Sequence, residues 1–376
     1  MIRYATQKIT SKDKIKVNKV LSSNFLTRGP VTKKFENKIA NLCNSKYSIS
    51  LNSASSGLHL ACLAIGLKKN DVVWTTSNTY AATANAAINC GCVIDFVDIN
   101  IRSYNISIEN LKKKLKNSKK KLPKALIVVH FAGNPCDMEE IYRLSKIYKF
   151  KIIEDSSHAL GARYKNSLIG DCKYSEINVF SFHPVKIITT GEGGMITTNK
   201  KKYYEKIKML RSNGIIKNIK NKPSWYYEQR ILGFNFHMNE IQAGLGISQL
   251  ANLKKWIKIR NKIAVYYNKN LKYLPLKIPL LENNKLSSFH LYVILLKNKK
   301  DRDGLFSFLK KKKIQCNFHY IPLYRHPFYK NLKFQIRDFK NSELYYKKAL
   351  SLPMHPNISY KQLKYITNKI QSYFNF

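Results

Sequence analysis

From residue 49 onward the chain alternates short β-rich apolar runs with segments of helical period, and few architectures accommodate that alternation. The runs "VVW" (72–74), "VIDFVDI" (93–99), "ALIVVH" (125–130), "KIIED" (151–155) and "INVFSF" (177–182) read as mostly buried strands. Between them, "SSGLHLACLAIGL", "TYAATANAAINCG", "SIENLKKKLK" and "DMEEIYRLSKIYKF" have helical spacing. The order implies an α/β fold of three layers around a mostly parallel sheet. A further strand, "GGMITT", precedes a helix from about 201 to 211, and helical character resumes through "NEIQAGLGISQLANLKKWIKIRNKIAVYYNKNL". Beyond Pro275 the segments "FHLYVILL", "GLFSFLKKKK", "IQCNFHYIP" and "YKQLKYITNKIQSYF" predict a smaller α+β unit. The expected division is a large domain over residues 1–250 and a small C-terminal domain over 251–376.

Composition narrows the function classes. No apolar run approaches the roughly 20 residues of a membrane span, and the sequence turns polar directly after Met1, so a cytoplasmic protein is expected. The seven cysteines are scattered without CxxC or His/Cys ligand spacing, which fits reduced thiols and no metal site. The net charge of +45 invites a nucleic-acid reading, but its distribution opposes one. No Lys or Arg occurs from Asn70 to Ile101 or from Ile231 to Leu253, whereas lysines crowd into 111–124 and 308–314, as on solvated helix faces and loops. Neither nucleic acid nor membrane is an expected partner. A positive field would still help to draw in an anionic substrate.

In open α/β sheets, ligands collect where strands end and helices begin. Three features sit at such places. "NSASSG" (52–57) opens a helix with hydroxyls and free backbone N–H groups, suited to a phosphate, although it also reads as a plain N-cap. Asp155 ends the strand "KIIED", and a carboxylate there needs a cation or a ring N–H, unless it merely caps the next helix. Lys186 is the one lysine between Lys173 and Lys200 in a chain with 67 Lys and Arg, and it lies in "SFHPVKIITTGEGGMITTN". A helix terminus for a phosphate, a carboxylate for a pyridine nitrogen and an amine for an aldehyde are what pyridoxal 5′-phosphate requires.

That lysine motif resembles the nucleotide-sugar aminotransferase family of fold-type I pyridoxal-phosphate enzymes. The resemblance extends over nearly the whole chain, through "FLTRGPVTKKFE", "LNSASSGLHLACLA", "HFAGNPCDM", "EDSSHALGA", "SWYYEQRILGFNFHMNEIQAGLGISQL", "NFHYIPLYRHPFY" and "SLPMHPN". It implies that Lys186 links to the cofactor as a Schiff base and shuttles the proton, with Asp155 facing the pyridinium and His158 near the cofactor's 3′ oxygen. Tyr80 would stack on the ring, unless it is a core aromatic, and Ser55, Ser56 and Ser181 would hold the phosphate. Asn235 would reach the phosphate of a neighbouring subunit, so the resemblance implies a homodimer with shared active sites. His183 reads equally as a catalytic group and as a structural partner of the turn that Pro184 already explains.

Thr27 and Arg28 in "LTRG", with His319 and Tyr320 in "HYIPLY", would contact the nucleotide-sugar, though the latter two could simply pack in the small domain. One position departs from the family: His237 stands where relatives usually have Arg, and a histidine binds an anion less firmly and titrates near neutrality. The resemblance implies a two-stage transamination through the pyridoxamine 5′-phosphate form. L-Glutamate would be the donor and a UDP-linked 4-keto-6-deoxy-N-acetylhexosamine the acceptor, in the branch that makes the 4-amino sugar for pseudaminic acid. A GDP- or dTDP-linked 4-keto sugar is the alternative, and a non-catalytic binding protein on the same fold a more distant one. Family members that dehydrate sugars replace the lysine by histidine, which Lys186 argues against.

Overall fold

The computed structural model describes all residues except 119–121, 218, 281, 333 and 376. Seven strands form the main sheet: β1 (Tyr47–Leu51), β2 (Val72–Thr76), β3 (Val93–Val97), β4 (Ala125–Val129), β5 (Lys151–Asp155), β6 (Ile177–Ser181) and β7 (Gly194–Thr198). Their order is β1-β7-β6-β5-β4-β2-β3. Only β7 runs against the others, pairing antiparallel with both β1 and β6. The remaining pairs are parallel.

Alternating side chains of these strands enter two separate cores. Leu126, Val128, Ile152 and Phe180 pack on one face with Phe35, Ile141 and Leu144 from α2 (Pro30–Cys43) and α6 (Met138–Tyr148). Ile127, Ile153, Val179 and Ile196 pack on the other with Leu58, Ala84 and Ile207 from α3 (Ala54–Ala64), α4 (Ala81–Ile88) and α7 (Lys201–Arg211). With both faces covered, unbroken apolar runs are the pattern the sheet demands. α5 (Ile108–Asn117) shows how the lysines are accommodated: Leu111 and Leu115 are buried while Lys112, Lys113 and Lys116 are exposed. The rest of the lysine-rich 111–124 segment includes residues 119–121, which lie outside the described residues.

The long helical stretch after residue 239 divides into α8 (Glu240–Leu250) and α9 (Leu253–Leu271). α8 packs on α1 (Ser11–Leu21) and α2, and the helix is interrupted at Ala251 and Asn252 before α9 begins. α9 spans two cores: Leu253, Trp256 and Ile257 join the first sheet core, whereas Ile263, Ala264, Tyr267 and Leu271 join a C-terminal one. That C-terminal core is built on β8 (Leu276–Lys277), β9 (Tyr292–Leu296) and β10 (Ala349–Leu352), an antiparallel sheet flanked by α10 (Lys299–Lys311) and a final helix, Tyr360–Tyr373. The other face of β9, through Val293 and Leu295, packs with Ile99, Phe131 and Tyr345. The first residues of the chain also reach this unit. Ile2 bridges Ile314, the Met354 N–H donates to the Tyr4 carbonyl at 2.9 Å, and His355 Nε2 contacts the Arg3 carbonyl at 3.0 Å.

No described helix is long and apolar enough to cross a membrane.

Candidate active site

The carboxyl ends of β2, β4, β5 and β6 open into a cavity of about 570 Å³. Its walls include Ser55, Tyr80, Asp155, His158, Ser181, His183, Lys186, His319 and Tyr320. Ligands of open α/β sheets bind at this edge.

Asp155 is the last residue of β5 and is 5% exposed. Its Oδ2 accepts from Thr83 Oγ1 at 2.7 Å, and its Oδ1 from Ser157 Oγ at 2.6 Å and Ser157 N–H at 3.1 Å. Thr83 is held in turn by Thr79, whose Oγ1 lies 2.8 Å away. Among the described residues no cation forms an ion pair with Asp155. A buried, oriented carboxylate of this kind is suited to a cationic N–H group entering the cavity.

Lys186 follows β6 in a turn closed by its own N–H to the His183 carbonyl at 2.9 Å. Burial lowers its amine from 10.5 to about 8, and the Asp155 charge only partly opposes this. His158 is buried; its Nδ1 accepts from the Ala132 N–H at 3.3 Å and its Nε2 lies 3.3 Å from Tyr320 Oη. Burial first, and then the charge of Lys186, drive its pKa well below 6.5, so the ring is neutral.

The third component is the start of α3. Ser53 caps the helix by accepting from Ser56 N–H at 3.1 Å, which leaves the Ala54 and Ser55 amides for an anion. Gly194 in β7 permits this approach: a Cβ there would lie 2.5 Å from the Ser53 carbonyl and 2.7 Å from Ala54 N. Ser55 faces the cavity. Ser56 does not line it; its hydroxyl bonds Asn52 Oδ1 at 2.7 Å and Ser53 Oγ at 2.9 Å. An amine and a carboxylate that lack ion-pair partners among the described residues, with a helix terminus on the same cavity, are the donor set that pyridoxal phosphate fits.

The other expected positions fall as follows. Tyr80, at the start of α4, is 64% exposed, with its ring 6.0 Å from that of Tyr320. Ser181 Oγ accepts from His183 N–H at 3.4 Å. His183 is about half exposed, with Nε2 3.8 Å from Glu192 Oε1. His319 is buried against Ser351 Oγ at 2.8 Å and is lowered to about 3 by burial, so it is a neutral wall of the cavity. Tyr320 is held through its N–H to Asn78 Oδ1 at 3.1 Å.

Thr27, Arg28 and Asn235 are not brought to this cavity within the chain. Thr27 bridges Asn239, and exposed Asn235 bridges Ser212. Arg28 lines a separate cleft of about 320 Å³ with Lys33, Lys208, Arg211 and His237. There His237 Nε2 lies 3.1 Å from Ser212 Oγ. Burial, then the charges of Arg211 and Arg28, lower it to about 4, so it is neutral at neutral pH rather than titrating there.

Four wall or support residues were not anticipated from the sequence: Tyr4, Thr83, Ser157 and His290. Ser157 had a legible signal, an Asp two positions earlier that accepts from its amide as in an Asx turn. The others are brought in by tertiary contact alone.

Comparison with known proteins gives consistent findings. A model of the DegT/DnrJ/EryC1/StrS aminotransferase family matches residues 7–371. The chain is 37% identical over 375 residues to the UDP-4-amino-4,6-dideoxy-N-acetyl-beta-L-altrosamine transaminase of Campylobacter jejuni subsp. jejuni serotype O:2, covering 99% of this chain and 97% of that protein. It is 30% identical over 368 residues to GDP-perosamine synthase of Escherichia coli O157:H7, covering 98% and 97%. Among solved structures, that of Helicobacter pylori PseC, an aminotransferase involved in the biosynthesis of pseudoaminic acid, matches with a TM-score of 0.91 at 31% identity over 99% of both chains.

Proposed function

Because the chain belongs to the DegT/DnrJ/EryC1/StrS aminotransferase family, we propose that it moves the amino group of L-glutamate to the 4-keto carbon of a UDP-linked 4-keto-6-deoxy-N-acetylhexosamine. It is a sugar aminotransferase of the fold-type I, pyridoxal-phosphate-using class. The observation that carries the finer reading is the 37% identity to the altrosamine transaminase over almost the entire chain. Placement of Lys186, Asp155 and the α3 terminus on one cavity supports the site.

When bound, the cofactor supplies an aldehyde that takes up the amino group and a ring that delocalises the electron pair of a broken C–H bond. The chain's residues do the rest. Asp155, oriented by Thr83 and Ser157, accepts the ring N–H and keeps that nitrogen cationic. The amides of Ala54 and Ser55, with Ser181, hold the phosphate. Lys186 Nζ takes the proton from the glutamate Cα and, in the second half-reaction, delivers one to C4 of the sugar. With its pKa lowered to about 8, a useful fraction is the free base near neutral pH. Neutral His158, His319 and Tyr320 form part of the same cavity wall. Tyr80 stacks on the cofactor, and His183 at the mouth is the other candidate for proton traffic.

We extend the proposal to a homodimer in which exposed Asn235 completes the phosphate site of the other copy, a contact for which Trp225 (76% exposed) and Leu232 (80%), near it in sequence, are also available. In that arrangement Thr27, Arg28 and the cationic cleft beside His237 contribute to nucleotide binding across the interface. A cytoplasmic location fits the unbridged thiols. Likeness to GDP-perosamine synthase keeps a second reading, a GDP-linked 4-keto sugar.

The test is mass spectrometry of products formed from UDP-, GDP- and dTDP-linked 4-keto sugars with glutamate. Amination of the UDP-N-acetyl sugar is expected. Amination of only a GDP or dTDP sugar would reject the substrate while leaving the aminotransferase class intact.

A further inference from the structure

Both hydrogen bonds to the His158 ring are long, 3.3 Å from the Ala132 N–H to Nδ1 and 3.3 Å between Nε2 and Tyr320 Oη. At that length neither fixes the ring's orientation firmly. Packing must supply the rest. The nearest ring is that of His290, with centroids 4.3 Å apart and planes at 38°, ahead of Phe131 at 6.0 Å and Tyr320 at 6.4 Å. His290 is 3% exposed and forms part of the same cavity wall. Its Nδ1 is buried without a hydrogen-bond partner among the described residues, so His290 acts on His158 through the face of its ring.

The segment carrying His290 is itself anchored. Buried Arg260 donates through Nη1 to the carbonyls of Phe289 at 3.0 Å, His290 at 3.3 Å and Met354 at 2.8 Å. Ser288 Oγ donates to the His158 carbonyl at 2.8 Å, and Leu291 N–H to the Ala132 carbonyl at 3.3 Å. The same short segment therefore grips the backbone of His158, the residue that bonds its Nδ1, and its ring. Gly133 makes room for this contact: a Cβ there would sit 2.3 Å from Ser288 Oγ and 2.9 Å from the His158 carbonyl.

We propose that His290 is a positioning residue for the reaction, whose imidazole face fixes the His158 ring with Nδ1 toward the Ala132 amide and the Nε2 proton toward Tyr320 and the cavity. The groups facing the pair are Lys186, neutral His319 and Arg260; burial is the main force against protonation, and the charge of Lys186, with that of Arg260 at His290, adds to it. Both rings are thus neutral near pH 7, and His290 governs tautomer and orientation rather than charge. The kinetic part of this inference rests on the transaminase reading; the structural part does not.

The test is a ring-nitrogen NMR spectrum of the cofactor-free protein together with kinetics of the loaded enzyme, for wild type, His290→Ala and His290→Phe, with thermal unfolding recorded for each. Wild type is expected to show one His158 tautomer, protonated on Nε2. His290→Ala should shift both nitrogen signals toward tautomer averaging and lower kcat/KM by about 10- to 100-fold, the scale of a small misplacement of a reacting group. His290→Phe, which keeps an aromatic face, should recover most of both. An unchanged His158 tautomer in His290→Ala, or a Phe variant no better than the Ala variant, would overturn the proposal. A wild type with the expected tautomer that aminates no sugar would instead count against the transaminase reading.

Discussion

Replacing Lys186 with methionine removes a charge that the folded chain holds in a cavity wall while keeping the length of the side chain. The amine falls from 10.5 to about 8 on folding, and burial is the larger cause. At about 1.4 kcal/mol per pKa unit, the charged form costs the apo-protein ~3 kcal/mol. The pH window follows from the sign. A lowered folded-state pKa means that stability is full above 10.5, where the amine is neutral in both states, and is lost as pH falls through 8. Methionine carries no such penalty, so Lys186→Met should be the more stable protein at pH 7, and its advantage should vanish between pH 8 and 10.5. With an unfolding entropy of about 2.1 cal/mol/K per residue, a gain of ~3 kcal/mol raises Tm by about 4 °C. Differential scanning calorimetry of the two cofactor-free proteins from pH 6.5 to 10.5 measures this directly. The variant should also fail to develop the visible absorption of covalently attached cofactor. Equal Tm values at pH 7, or an advantage that persists unchanged at pH 10.5, would refute the claim that Lys186 is a desolvated amine.

Three further outcomes are expected. Thr83→Val removes one of the hydroxyl donors to Asp155, and loss of a hydrogen bond to a charged group should weaken cofactor binding by about 10- to 100-fold in a fluorescence titration; unchanged affinity would mean that Ser157 alone orients the carboxylate. Gly194→Ala sets a Cβ against the backbone at Ser53 and Ala54, and should lower stability by about 1–3 kcal/mol and weaken phosphate binding together, measured by denaturant titration and by inorganic phosphate protection. His237 has a folded-state pKa lowered to about 4, so it contributes stability that is present above 6.5 and lost as pH falls through 4. His237→Gln should therefore resist acid better over that window by about 1–2 kcal/mol, allowing for partial exposure, and an unaltered acid unfolding curve would contradict the environment described.

The sequence exposed those features that leave a local trace. Unbroken apolar runs marked the strands of the parallel sheet, because both faces are covered. Asp155 stood out as a carboxylate at the end of such a run, and Lys186 as the one lysine between Lys173 and Lys200. The reversed direction of β7 left no trace, since a buried strand has the same pattern whichever way it runs. The break at Ala251 and Asn252 was hidden because neither residue interrupts helical periodicity, and only the tertiary structure shows that α9 serves two cores. Contacts such as Thr83 with Asp155, 72 residues apart, and His290 with His158 exist only once the chain has closed. His237 shows the same limit in electrostatics: its identity suggests titration near neutrality, and burial, followed by the charges of Arg211 and Arg28, removes it.

The tie between Ile2–Tyr4 and the strand-bearing unit that contains Ile314 and Met354 has a temporal consequence. Residues 2–4 are made before their partners, which follow more than 300 residues later. The pairing cannot form before that later segment exists, so this closure is an event of high contact order. Deleting residues 1–4 should leave the central sheet intact and loosen the unit that carries Ile314 and Met354.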